Sequence, residues 1–493
     1  MLILLLVSAP TVAQQPEPHQ HQIAAAEIGE VRFPTTCAPD AARSVEVGVT
    51  LLHSFWYEEA ERKFRGAIAD DPRCAIAYWG VAMTQYYPLW PTPLTPARLQ
   101  IGTDALTAAR KLNTGSARER AYITALSAFY EQEAGTPVHE RAVKYEDAMS
   151  RVVNAYPDHD EAAIFYALAL NGAALPTDRT YARQKKAAAI LNGLLAKHPR
   201  HPGIIHYLIH SNDTPELASL ALNAARAYAN VAPAVPHAQH MPSHIFTRLG
   251  LWDESVKSNL KAKQAAREHH DVGEELHAMD YLEYAYLQLG RFDAAKGVVD
   301  ALRAMGRLEQ IETKTTYAAA AIPARYALER HDWRAAANLA VQKDIDWEKN
   351  PRTAALNQFA IGIGAARSGD VDRAKRAESA LRAYVDALKL ENDGLWTAQV
   401  SVQHKAVWAW RLFAEGKTDE AVGTMRAAAG EEDLLIKPAV TPAALLPARE
   451  LLADMLAEMK RPEEALGEYK AVLVVEPNRR NALSGVARLE RAR

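Results

Sequence analysis

Histidine is the residue that stands out as a bearer of chemistry. Of 17 histidines, seven fall between positions 198 and 244: His198, His201, His206, His210, His237, His240 and His244. An even spread would put about 1.6 there. His206 and His210 (HYLIH) stand at i,i+4, which on a helix places two imidazoles within about 40° of each other, a chelating spacing. Tyr207 occupies the position where a zinc protease carries its general-base Glu, so that chemistry is not implied. His237, His240 and His244 (HAQHMPSH) stand at i, i+3 and i+7, and Pro242 must lie in a first turn or kink the helix.

Imidazoles joined by a carboxylate suit zinc, copper, nickel or iron. Three such ligands with one open position would make a catalytic zinc site. Two other readings fit the same residues: a polar network tying neighbouring helices together, and a surface that grips an anionic or peptide ligand. Other chemistries lack their residues. Gly416-Lys417-Thr418 ends like a phosphate-binding loop, but Arg411 stands where its first Gly belongs. No GxSxG elbow and no dinucleotide glycine run occurs, so no nucleotide is expected.

The elements that must position these residues are helices. From Ala41 onward apolar residues recur at spacings of three and four, and segments end at Gly-Asp, Gly-Arg, Asp-Pro or Glu-Pro. The segments also repeat. YEEAERKFRGAIADDP (57–72) and PEEALGEYKAVLVVEP (462–477) share Ala60/Phe64/Ala67/Pro72 and Ala465/Tyr469/Val472/Pro477. LGLWDES (249–255) and LGRFDAA (289–295) share a turn, and SGDVDRA (368–374) and EGKTDEA (415–421) are looser copies.

These stretches resemble the tetratricopeptide repeat, a helix–turn–helix unit of about 34 residues. The likeness covers most of 41–493 and is sharpest at 51–84 and 446–477. It implies an all-α solenoid: roughly nine to eleven helix pairs stacked into a right-handed superhelix with a concave groove that holds a protein or peptide partner. PHAQHMPSHIFTRLGLWDES, HYLIH, ELHAMDYLEYAYLQLG, CAIAYWGVAMT and TPAALLPAREL also look like a bacterial exported family of such repeats. Tyr87 departs from that pattern where a His is expected, which puts an N-terminal ligand there in doubt.

A shift of 40 residues superposes Leu249-Gly250 on Leu289-Gly290 and takes His237 to His277, His240 to Asp280 and His244 to Tyr284. In the repeat family such positions face the groove. The candidate metal ligands (for Zn, Cu or Fe) are therefore His206, His210, His237, His240, His244, His277 and Asp280, with Asp213 nearby. The expected groove-lining set is Tyr284, Arg325, Glu450, Asp454, Trp79 and His53. Leu356, Phe359 and Ile363 would make one stretch of that wall apolar. YYPLWPTPLTP (86–96) has four prolines and reads as an extended loop.

Composition agrees with a globular chain. The 493 residues carry 57 Lys+Arg against 60 Asp+Glu, so there is no basic excess to hold nucleic acid. MLILLLVSA followed by Thr-Val-Ala reads as a secretory signal ending at Ala13, followed by a leader or linker over 14–40 of which 14–30 looks solvated. The expected location is periplasmic or secreted, with no stable membrane insertion. Export permits a disulfide. Cys37 and Cys74 precede two helices 37 residues apart, and a bridge or two buried thiols both fit.

Overall fold

The computed structural model describes residues 24–89, 94–133, 135–308 and 311–491. Every regular element among them is helical, from Pro39–His53 to Arg480–Arg491. The proposed signal, residues 1–13, lies outside the described residues. No described helix is long and apolar enough to cross a membrane.

The repeat signature has a packing cause. Helix Tyr57–Asp70 buries Ala60, Phe64 and Ala67. The Phe64 ring fits between Gly48 and Gly80 of the flanking helices, where an added Cβ would lie 2.8 and 2.3 Å from it. The C-terminal copy repeats this: Tyr469 fills the space beside Gly485, where a Cβ would lie 2.5 Å from the ring. Aromatic knob and glycine hole let successive hairpins nest, and a buried ring of this size contributes several kcal/mol. Between hairpins, Gly250 and Gly290 take φ of +65° and +69°, a left-handed turn that glycine enters without a Cβ clash. Asp271, Asp332, Asp370 and Asp393 each cap the next helix by accepting from a backbone N–H.

The hairpins form a tetratricopeptide-like stack. The inner row includes Val272–Gln288, Thr313–Leu328, Pro351–Ser368, Gly394–Ala414 and Ala448–Glu458, each packed on the next. The row curls until distant parts touch. Pro39–His53 meets Pro202–Ser211, and Arg480–Arg491 meets Val272–Gln288. The non-helical stretch 434–447 starts at the exposed Leu434 and turns inward, burying most of 438–447. Lys437 Nζ reaches Asp213 at 3.1 Å, Tyr281 donates to the Thr441 carbonyl at 2.9 Å, and Arg325 donates to the Ala444 carbonyl at 3.1 Å.

Three expectations need correcting. Pro96 does not prevent a helix but opens one, Pro96–Leu112, capped by Thr95; at a first turn the missing N–H is no loss. Residues 90–93 of that stretch lie outside the described residues. The stretch read as solvated is packed at its end, where Ile28 is buried; further along the linker Val31 and Phe33 are buried too, and Phe33 stacks on Trp79 at 5.7 Å. Cys37 and Cys74 form a disulfide, with Cα atoms 4.9 Å apart.

Candidate metal centre

Four helices bring six imidazoles together. Pro202–Ser211 carries His206 and His210 on one face. Pro236–His240 carries His237 and His240; Pro242 ends that helix and starts Pro242–Arg248, which carries His244. Val272–Gln288 carries His277. One ligand atom from each of His206, His210 and His237 lies within 4.8 Å of the other two. The same holds for His240, His244 and His277. The triads abut: ring centroids of His237 and His240 are 5.9 Å apart, and those of His210 and His244 are 6.0 Å apart.

The backs of these rings are tied down. His206 Nδ1 donates to the His53 carbonyl at 2.7 Å. His240 Nδ1 sits 2.7 Å from Asn259 Oδ1. The Asn259 amide cannot turn over without loss, because its nitrogen donates to the Ser255 carbonyl at 2.8 Å. His244 Nδ1 sits 2.9 Å from Asp213 Oδ2, and His237 Nδ1 sits 3.2 Å from Glu274 Oε2. Acceptors on the Nδ1 side fix the tautomer and turn each Nε2 lone pair inward, as in the outer contacts of metal-bound histidine. The inward atoms are close: Nε2 of His206 and His210 are 3.1 Å apart, and so are those of His240 and His244.

Electrostatics disfavour the charged form of five of these rings. Burial lowers the pKa of His206, His210, His240 and His277 well below the ordinary value, and neighbouring imidazoles lower it further. Burial likewise takes His244 down to about 4 against the pull of Asp213. Burial pushes Asp213 upward, but Lys437, Arg248 and His244 outweigh it and hold the carboxyl well below its usual range. Glu274 behaves alike, held low by Lys314 and His237. A cavity of about 340 Å³ reaches the cluster from outside. Of the six imidazoles only His237 lines it, with Phe55, Tyr57, Tyr87, Arg98 and Lys314 among the walls.

The remaining candidates are placed elsewhere. Asp280 is not in either triad: its carboxylate pairs with Arg325 at 3.3 Å. Three residues past His277 turns it toward helix Thr313–Leu328, whereas Tyr281, four past, stays on the histidine face. Nothing in the spacing of the histidines marks Tyr281, whose hydroxyl lies 3.3 Å from His244 Nε2. Tyr284, Arg325, Glu450 and Asp454 do not line an open groove. Arg479, fully buried, donates to Tyr284, Glu450 and Glu329, while Asp454 accepts from Arg367 and Tyr469. Trp79 is core, edge-on to Tyr122 and Phe165. His53 belongs to a third group with Glu161 and His201. That group is closed on itself: the two Glu161 oxygens meet His53 at 3.0 Å and His201 at 2.7 Å, and His53 Nδ1 meets the Tyr207 hydroxyl at 2.9 Å. Such a satisfied network is structural, and its contribution to the centre is the His53 carbonyl.

No family model matches the chain, and no curated protein matches it. Among solved structures it is similar to the P58(IPK) TPR domain, with 14% identity, 92% of this chain and 98% of that one covered, and a TM-score of 0.24. A likeness that loose adds nothing about function to what the helical hairpins already show.

Proposed function

We propose that this chain is a transition-metal protein, with an ion held by His240, His244 and His277 and a further imidazole triad beside it. One observation carries the reading. His240 and His244 each present Nδ1 to an acceptor that has no hydrogen to give, so each neutral ring keeps its proton there and leaves Nε2 bare. Those two bare nitrogens face each other at 3.1 Å. The Tyr281 hydroxyl lies 2.9 Å from the Thr441 carbonyl, the shortest of its acceptors, and donating there it turns a third lone pair to His244 Nε2 at 3.3 Å. Three facing lone pairs in a buried site repel one another and cost several kcal/mol without a shared cation. A metal ion relieves this: two imidazoles on one ion with bonds of about 2.0–2.1 Å have nitrogens about 3.3 Å apart in tetrahedral geometry.

The disulfide supports a working place in an oxidising compartment, periplasmic or extracellular in a bacterium. A partner on the concave side, expected from the repeats, would meet a cavity of about 510 Å³ that Leu356, Phe359 and Trp396 line together with Leu435, Ile436 and Leu445. The test is metal analysis of untagged protein stripped with a chelator and reloaded. At least one zinc or copper ion per chain should be retained through gel filtration, and a His240→Ala/His244→Ala variant should lose it. Failure of the intact chain to hold either metal would refute the reading.

A further inference from the structure

We propose that the two triads are one binuclear copper centre, with His206, His210 and His237 on one ion and His240, His244 and His277 on the other. The inference rests on the metal reading above and adds the number of ions, their identity and their coupling. Number follows from the division of ligand atoms into two sets of three, each with its own 3.1 Å Nε2 pair. Coupling follows from how the sets interleave. His237 lies 5.9 Å from His240 and 6.5 Å from His277, and His210 lies 6.0 Å from His244. Metal bonds of about 2 Å then bring the two ions to within a few ångströms, the range that one small molecule bridges.

Identity follows from the donors. Every ligand atom is an imidazole nitrogen. The nearest carboxylates, Asp213 and Glu274, are spent on the Nδ1 side of His244 and His237. Carboxylate-rich shells suit magnesium, calcium and manganese, and imidazole shells suit copper, which also binds most tightly in the divalent series. A shell without negative charge in a buried site favours the ion state of lowest charge, and copper is stable there as Cu(I). Three nitrogens per ion leave a coordination position open on each. The cavity over His237 gives a small neutral molecule such as dioxygen, or water as a source of hydroxide, a way to those positions.

The test uses the full chain. Metal-free protein is titrated anaerobically with Cu(I), then oxidised with two equivalents of ferricyanide, each taking one electron from one ion. The expected result is two copper ions per chain and an electron paramagnetic resonance signal that integrates to well below two spins or shows a half-field transition. His206→Ala/His210→Ala should hold one copper and give one isolated Cu(II) spin after oxidation. His404→Gln, on helix Gly394–Ala414 and in none of the imidazole groups, serves as a control that removes a histidine but no ligand and should keep two. Two fully isolated spins in the intact chain, or one copper per chain, would overturn the binuclear assignment and leave the metal reading standing. No metal of any kind would overturn both.

Discussion

Replacing Arg479 by Met removes a fully buried cation that fastens the C-terminal hairpin to the middle of the stack. The guanidinium is fully buried, and it donates to Glu450 at 2.6 and 3.0 Å, Glu329 at 2.8 Å, Tyr284 at 2.9 Å and Glu476 at 3.2 Å. Met keeps the apolar stem but leaves the buried carboxylates unpaired. Burial raises Glu450 to about 7 even with Arg479 beside it, so without the arginine it must take up a proton at neutral pH. Breaking a buried pair by removing one partner costs about 3–5 kcal/mol. In a stacked array that loss appears locally before it appears globally. Hydrogen exchange at pH 7.5 should therefore show amides of 448–491 losing protection by roughly two to four orders of magnitude, while those around Phe64 change little. Adding Glu450→Gln and Glu329→Gln should restore much of it, since the uncompensated charge is the main penalty. Unchanged exchange in Arg479→Met would refute the idea that this cluster closes the stack.

Three shorter predictions follow from the same geometry. Asp213→Asn weakens the hold on His244 Nδ1, and metal affinity should fall about 10–100-fold in a competition titration; equal affinity would count against the ring orientation given above. In metal-free protein, His244 is held down to about 4 by burial, against about 6.5 in the unfolded chain. The unfolded state thus binds more protons between those values, so His244 costs stability as pH falls from about 6.5 toward 4, at up to about 1.4 kcal/mol per pH unit. His244→Gln should flatten the fall of urea-derived stability with acidification over that window, and identical slopes would contradict this. Loss of the Cys37–Cys74 bridge, which closes a 37-residue separation, should cost about 4 kcal/mol by loop entropy, read as a lower urea midpoint in Cys37→Ser/Cys74→Ser.

The repeat was legible because each signature residue has a local duty. Ala60, Phe64 and Ala67 share one face, and Phe64 needs a gap on the neighbouring helices that Gly48 and Gly80 supply. The i,i+4 pair His206/His210 was legible for the same reason, since helical spacing alone sets it. Register between hairpins was not. A shift by 40 residues pairs His240 with Asp280, yet the His277 ring lies 4.2 Å from that of His240, because Asp280, three residues on from His277, faces Arg325 instead. Closure was also hidden. Arg479 meets Tyr284 across 195 residues, and Trp252 donates to the Asn478 carbonyl across 226. Nothing in the pattern of a single Arg or Trp signals a partner that distant. Asn259 on the outer helix likewise carries no mark of its bond to His240.

Anomalous diffraction from crystals of metal-loaded protein tests the central claim most directly. The account predicts a peak within about 2.0–2.2 Å of both the His240 and His244 Nε2 atoms, on the side that Tyr281 faces. A metal-loaded crystal with no peak between those rings, or with the ions confined to surface carboxylates, would contradict it.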